Sequence, residues 1–166
     1  MELDYLVKKL EEQNCIKDYA YLATGDNLDN SSKMAEYYSY TVGVPTLFFI
    51  LQNKKENIIK RIEHLSNQLY INDTEDLTLE EMKDIIIKMK EEKNTGCVVI
   101  DYLRFIHPNN LIPMTSHTRF EIKHYFYQLA NELNIKIFIQ FYPNPKEDEE
   151  NWYKTVYKVC EKDLIY

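Results

Sequence analysis

Thr95-Gly96-Cys97-Val98-Val99-Ile100-Asp101-Tyr102-Leu103 is a short apolar run that ends abruptly in an aspartate. Its β-branched residues show no polar alternation, which predicts a strand buried on both faces, as in a parallel sheet. An acidic residue at the C-terminal end of such a strand lies at the crevice where open α/β sheets bind ligands. A carboxylate there can equally do no more than cap a neighbouring backbone turn. Spacing alone gives the two roles similar weight.

On both sides of this run, strand and helix patterns alternate. Residues 2–13 read as a short amphipathic helix, and residues 19–24 as a strand that stops at Gly25. A helix is expected over residues 33–40, and Pro45 then introduces the apolar strand 46–51. Ile58, Ile59, Ile62, Leu65 and Leu69 fall on a helical stripe, with a brief strand over residues 69–71 before the turn-prone Asn72-Asp73-Thr74. Thr78 followed by Glu81 is a capping-box signature, and the helix it opens carries Leu79, Met82, Ile85, Ile86 and Met89 on one stripe.

Beyond Leu103 comes a loop with Pro108 and Pro113, then a helix marked by Ile122, Tyr125, Phe126, Leu129, Ala130 and Leu133. An apolar strand over residues 135–141 follows directly. The acidic residues Glu147 to Glu150 suit a solvated loop, and residues 152–166 fit a helix that closes in a strand at Leu164-Ile165-Tyr166. Strands separated by helices imply parallel pairing. The expected fold is a three-layer α/β domain spanning residues 1–166, with a mainly parallel sheet.

Composition narrows the function classes. Hydrophobic content of 45% with 28% charged residues is that of an ordinary globular domain. A formal net charge of −7 argues against a free-standing nucleic-acid binder, which usually carries a basic face. Cys15, Cys97 and Cys160 have no metal-ligand spacing, which fits a reduced, cytoplasmic setting. No signal peptide or membrane-length apolar run is present in the sequence.

Several segments together resemble the C-terminal domain of DnaB-type replicative helicases. They are Leu69-Tyr70-Ile71-Asn72-Asp73-Thr74, the helix after it, and Val98-Val99-Ile100-Asp101-Tyr102-Leu103. Glu121-Ile122, Leu129-Ala130 and Glu132-Leu133-Asn134-Ile135 continue the likeness. Upstream, Glu2-Leu3-Asp4 and Pro45-Thr46-Leu47-Phe48-Phe49 are similar to that family's entry segment and second strand. The resemblance implies a RecA-like, phosphate-loop NTPase core without the helicase N-terminal domain. It also implies an Asp101 that helps hold magnesium.

The departures from that pattern bear on activity. A phosphate loop has the form G-x-x-x-x-G-K-[ST], its backbone N–H groups cradling phosphates and its lysine reaching the β/γ-phosphates. The matching stretch is Gly25-Asp26-Asn27-Leu28-Asp29-Asn30-Ser31-Ser32. Gly25 and Ser32 fit, whereas Asn30 replaces the second glycine and Ser31 the lysine. Lys33 is two positions too late and is expected to point elsewhere. Asp26 and Asp29 add carboxylates where triphosphate would sit, and like charges about 4 Å apart repel by several kcal/mol near a protein surface.

The resemblance places Gln52 where the family has a glutamate that polarises the attacking water. An amide cannot take that proton, and general-base catalysis worth about 10²–10⁴-fold is lost. The family's polar sensor falls on Tyr142 in a gapless match, with Gln140 two residues earlier. The tail after Pro145 offers no counterpart of the basic residues that reach a neighbouring subunit's nucleotide.

The expectation is a degenerate nucleotide site (Gly25, Asn30, Ser31, Ser32, Asp101, Gln140) in a pseudo-ATPase that needs no cofactor. Its expected partners are a second copy or a DnaB-type helicase subunit. The alternative is a divergent helicase-like ATPase in which Asp101 and Ser32 hold the magnesium of Mg-ATP. Weak or indirect nucleic-acid binding around Arg104 to Arg119 is a third option. His64, His107, His117 and His124 form no ligand-like cluster, and Tyr125-Phe126-Tyr127 suits core packing better than base stacking.

Overall fold

The computed structural model describes residues 19–23, 29–51, 55–101, 116–141 and 156–157. The expected helix over residues 2–13, the proline-containing loop, the acidic run 147–150 and the strand 164–166 lie outside them. The described elements follow in the order β1 (Tyr19–Ala23), α1 (Asp29–Glu36), a π-helical turn (Tyr37–Thr41), β2 (Thr46–Ile50), α2 (Lys55–Ile59) and β3 (Leu69–Asn72). After these come α3 (Leu79–Lys93), β4 (Cys97–Asp101), α4 (Ser116–Leu133), β5 (Lys136–Phe141) and β6 (Val156–Tyr157).

The strands form one sheet in the order β3-β2-β4-β5-β1-β6. Every pairing is parallel except that of β6 with β1, where Tyr21 faces Tyr157 and Leu22 faces Val156. β2 and β4 are buried at all five positions, as the uninterrupted apolar runs predict for central strands covered on both sides. Successive residues then alternate between two cores. Leu47, Phe49, Val98, Ile100, Ile137 and Ile139 meet Met82, Ile86, Ile122, Phe126, Leu129 and Ala130 of α3 and α4. On the other face Phe48, Ile50, Cys97, Val99 and Phe138 meet Met34, Ala35, Tyr38, Ile58 and Ile62. The three-layer α/β architecture expected from the sequence is the one observed.

Helix α3 carries the full capping box. Thr78 Oγ1 accepts from Glu81 N–H at 3.2 Å and Glu81 Oε2 accepts from Thr78 N–H at 2.8 Å. Glu80 and Glu81 in its first turn and Lys90 and Lys93 in its last suit the helix dipole. Asn94 ends it in the left-handed region at φ 52°, and Asn134 does the same after α4 at φ 51°.

Gly96 enters β4 where the chain is crowded: its N–H donates to Pro45 O and its carbonyl accepts from Lys136 N–H, each at 2.9 Å. A Cβ on Gly96 would stand 2.6 Å from Val44 Cγ1.

Three expectations need correction. The helix expected over residues 33–40 begins earlier, at Asp29, and widens into the π turn at Tyr37. That turn is closed by the bond from Val42 N–H to Tyr37 O at 2.9 Å. The stripe from Ile58 to Leu69 is not one helix. α2 stops at Ile59, Leu65 is exposed and Leu69 starts β3, because Ile58 and Ile62 suffice to cover the sheet and the chain must turn to enter β3. Within residues 152–166, Val156 and Tyr157 are extended instead of helical, pairing antiparallel with β1 as the edge strand of the sheet.

Candidate functional site

The C-terminal ends of the parallel strands converge on one row. Ile50 of β2 pairs with Asp101 of β4, Asp101 with Gln140 of β5, and Gln140 with Leu22 of β1. β5 thus lies between the strand that leads into the Gly25–Ser32 pattern and the strand that ends at Asp101. Asp101 shares a face with Cys97 and Val99, which pack beneath α1. Its side chain is fully buried.

A strand precedes the Gly25–Ser32 pattern and a helix carries its last residues, the flanking elements that a phosphate loop requires. β1 ends at Ala23, residues 24–28 intervene, and α1 opens at Asp29. Asn30, Ser31 and Ser32 therefore occupy the first turn of the helix. Ser31 and Ser32 are buried, and the next turn, Met34 and Ala35, packs on Val99, Ile50 and Phe138. The fold brings together the first turn of α1, the buried Asp101 and the register position of Gln140. Gly25, Gln52 and Tyr142 lie outside the described residues.

Lys33 does not turn back toward the strand ends. It is exposed and lines a surface cavity with Tyr37, Tyr40, Arg61 and His64, toward the C-terminal end of α1. This cavity had no signal in the sequence. Its walls come from residues 33–41 and 61–64, segments that neither charge pattern nor periodicity connects. Glu36 joins them: its carboxylate accepts from Glu63 N–H at 3.2 Å and His64 N–H at 2.8 Å, and lies 2.9 Å from His64 Nδ1.

Other titratable groups have structural roles. Burial pushes the Cys97 thiol well above its ordinary range, against the opposing influence of the Lys136 charge and a hydrogen bond with Thr46. A thiol held protonated is a poor nucleophile. Tyr125 is shifted upward, first by burial and then by the Glu80 carboxylate, which its hydroxyl meets at 3.3 Å. Phe126 is buried and Tyr125 and Tyr127 pack against the α3/α4 core, so this cluster does serve packing. His124 is exposed. Among the described residues no group of three His, Cys, Asp or Glu side chains stands ready for a metal, and no helix is long and apolar enough to cross a membrane.

Comparison with known proteins places this geometry. Over 98% of the chain, the structure superimposes on a solved ATPase domain, covering 76% of that domain with a TM-score of 0.66 at 14% identity. A solved DnaB-like replicative helicase, described with its interactions with primase, matches over 89% of this chain and 43% of its own, with a TM-score of 0.58 at 18% identity. At such identities the likeness concerns the fold, and the chain spans less than half of that helicase. No curated protein sequence matches it. The model of the family described as DnaB-like helicase C terminal domain matches residues 46–141, from the first residue of β2 to the last of β5. With more than half of its residues so matched, the chain belongs to the family of DnaB-like helicase C-terminal domains.

Proposed function

We propose that this chain is a catalytically inactive DnaB/RecA-like domain that acts as an interaction or regulatory protein, by association with itself or with subunits of a replicative helicase. The first turn of α1 is the observation that carries this reading. Ser31 stands at the position of the phosphate-loop lysine and is buried, while the nearest lysine, Lys33, is exposed and lines another cavity. No cation occurs anywhere in the stretch Gly25 to Ser32, which instead holds Asp26 and Asp29.

The donor set therefore does not fit a magnesium triphosphate. Its magnesium side is kept in Asp101 and Ser32, but its phosphate side is built from the wrong charges. Gln52 in place of a carboxylate adds to the same reading. A RecA-like scaffold with such a site retains its shape and its surfaces for association. Inserted among active subunits, it would leave a dead position in their assembly.

The test is a calorimetric titration with Mg-ATP and a non-hydrolysable analogue, followed by gel filtration with a DnaB-type helicase. The expected outcome is no binding at millimolar nucleotide, with co-elution and a lowered helicase ATPase rate. Absence of any association, with itself or with a helicase, would remove the proposal. A second reading, a divergent ATPase, is favoured by one observation: Asp101 is kept and buried at the end of a central strand, beneath α1. Micromolar nucleotide binding, with magnesium-dependent turnover abolished by Asp101→Asn, would establish it instead.

A further inference from the structure

We draw no further inference here: the strongest candidate, the cavity between the π turn and the loop after α2, has a charge-balanced lining of Lys33 and Arg61 against Glu36 and Glu63, and nothing in the structure shows what covers it.

Discussion

The two faces of the sheet are built differently. The face under α3 and α4 is covered by long helices, of 15 and 18 residues, over a large apolar cluster, with the buried Thr95 hydroxyl donating to Met89 O at 3.0 Å where α3 ends. The opposite face is covered by shorter pieces: α1 of 8 residues, the π turn of 5 and α2 of 5. On that side lie the buried polar groups Ser31, Ser32, Ser39, Thr46 and Asp101. Both candidate surfaces belong to it, the strand-end site at one end of α1 and the cavity at the other. One face thus supplies the close-packed apolar area that stabilises the domain, and the other trades part of that area for hydroxyls, a carboxylate and short irregular segments. Both candidate surfaces thus sit where the packing is least regular.

The strongest way to break this contrast is to excavate the apolar face. Phe126 is fully buried at the centre of the α3/α4 core, and Phe126→Ala should cost about 3–5 kcal/mol, the transfer term plus the cavity left behind. Urea unfolding measures it. A loss below about 1 kcal/mol would mean that this face is not the one that holds the domain together.

A smaller effect is expected from Gly96→Ala. The new Cβ meets Val44, a branched side chain packed against the α1-side core, at a point where β2, β4 and β5 are joined by backbone bonds. Overpacking of this kind costs about 1–3 kcal/mol, read as a lowered urea midpoint. An unchanged midpoint would show that the α1 side yields to the extra methyl more easily than its tight backbone suggests.

This asymmetry also explains what the sequence could reveal. The strands were legible because β2 and β4 are central and buried on both faces, so their runs lack polar interruptions. α3 was legible from Thr78 and Glu81, whose local bonds form as the motif implies. The α1 side was harder to read. Ile62, Leu65 and Leu69 continue a helical spacing from Ile58, but a helix is decided by packing as much as by period, and the chain leaves it after Ile59. The π turn had no signal because its extra residue is accommodated by tertiary contacts, among them Ser66 Oγ donating to Ser39 O at 2.9 Å.

For the strand-end site, the residues Asp101, Ser31 and Ser32 could be picked out singly. Their common placement on one face, and Gln140 as the register neighbour of Asp101, required the sheet order. The cavity was invisible because its walls are about one βα unit apart in sequence, and long-range contacts bring them together: the Glu36 bonds, the stack of Tyr40 on His64 and the bond from Ser66 Oγ to Ser39 O.

The smallest effect tests whether the apolar face owes its regularity to local signals as well as to burial. Thr78→Ala removes the acceptor of Glu81 N–H, and loss of such a cap costs about 1 kcal/mol. The cap should also be acid-sensitive. Hydrogen bonds from the Thr78 backbone and then its side chain hold the Glu81 carboxyl below its ordinary 4.5. A carboxyl whose pKa is depressed on folding stabilises above its unfolded value, and that contribution disappears as pH falls through the folded one. The parent should therefore lose this part of its stability on acidification below about pH 4.5, whereas Glu81→Gln should lose less over the same window. Thermal midpoints of the two proteins at neutral and acid pH measure the difference. Parallel losses would mean that α3 is held by Met82 and Ile86 against the sheet alone, and that its capping box follows the packing without adding to it.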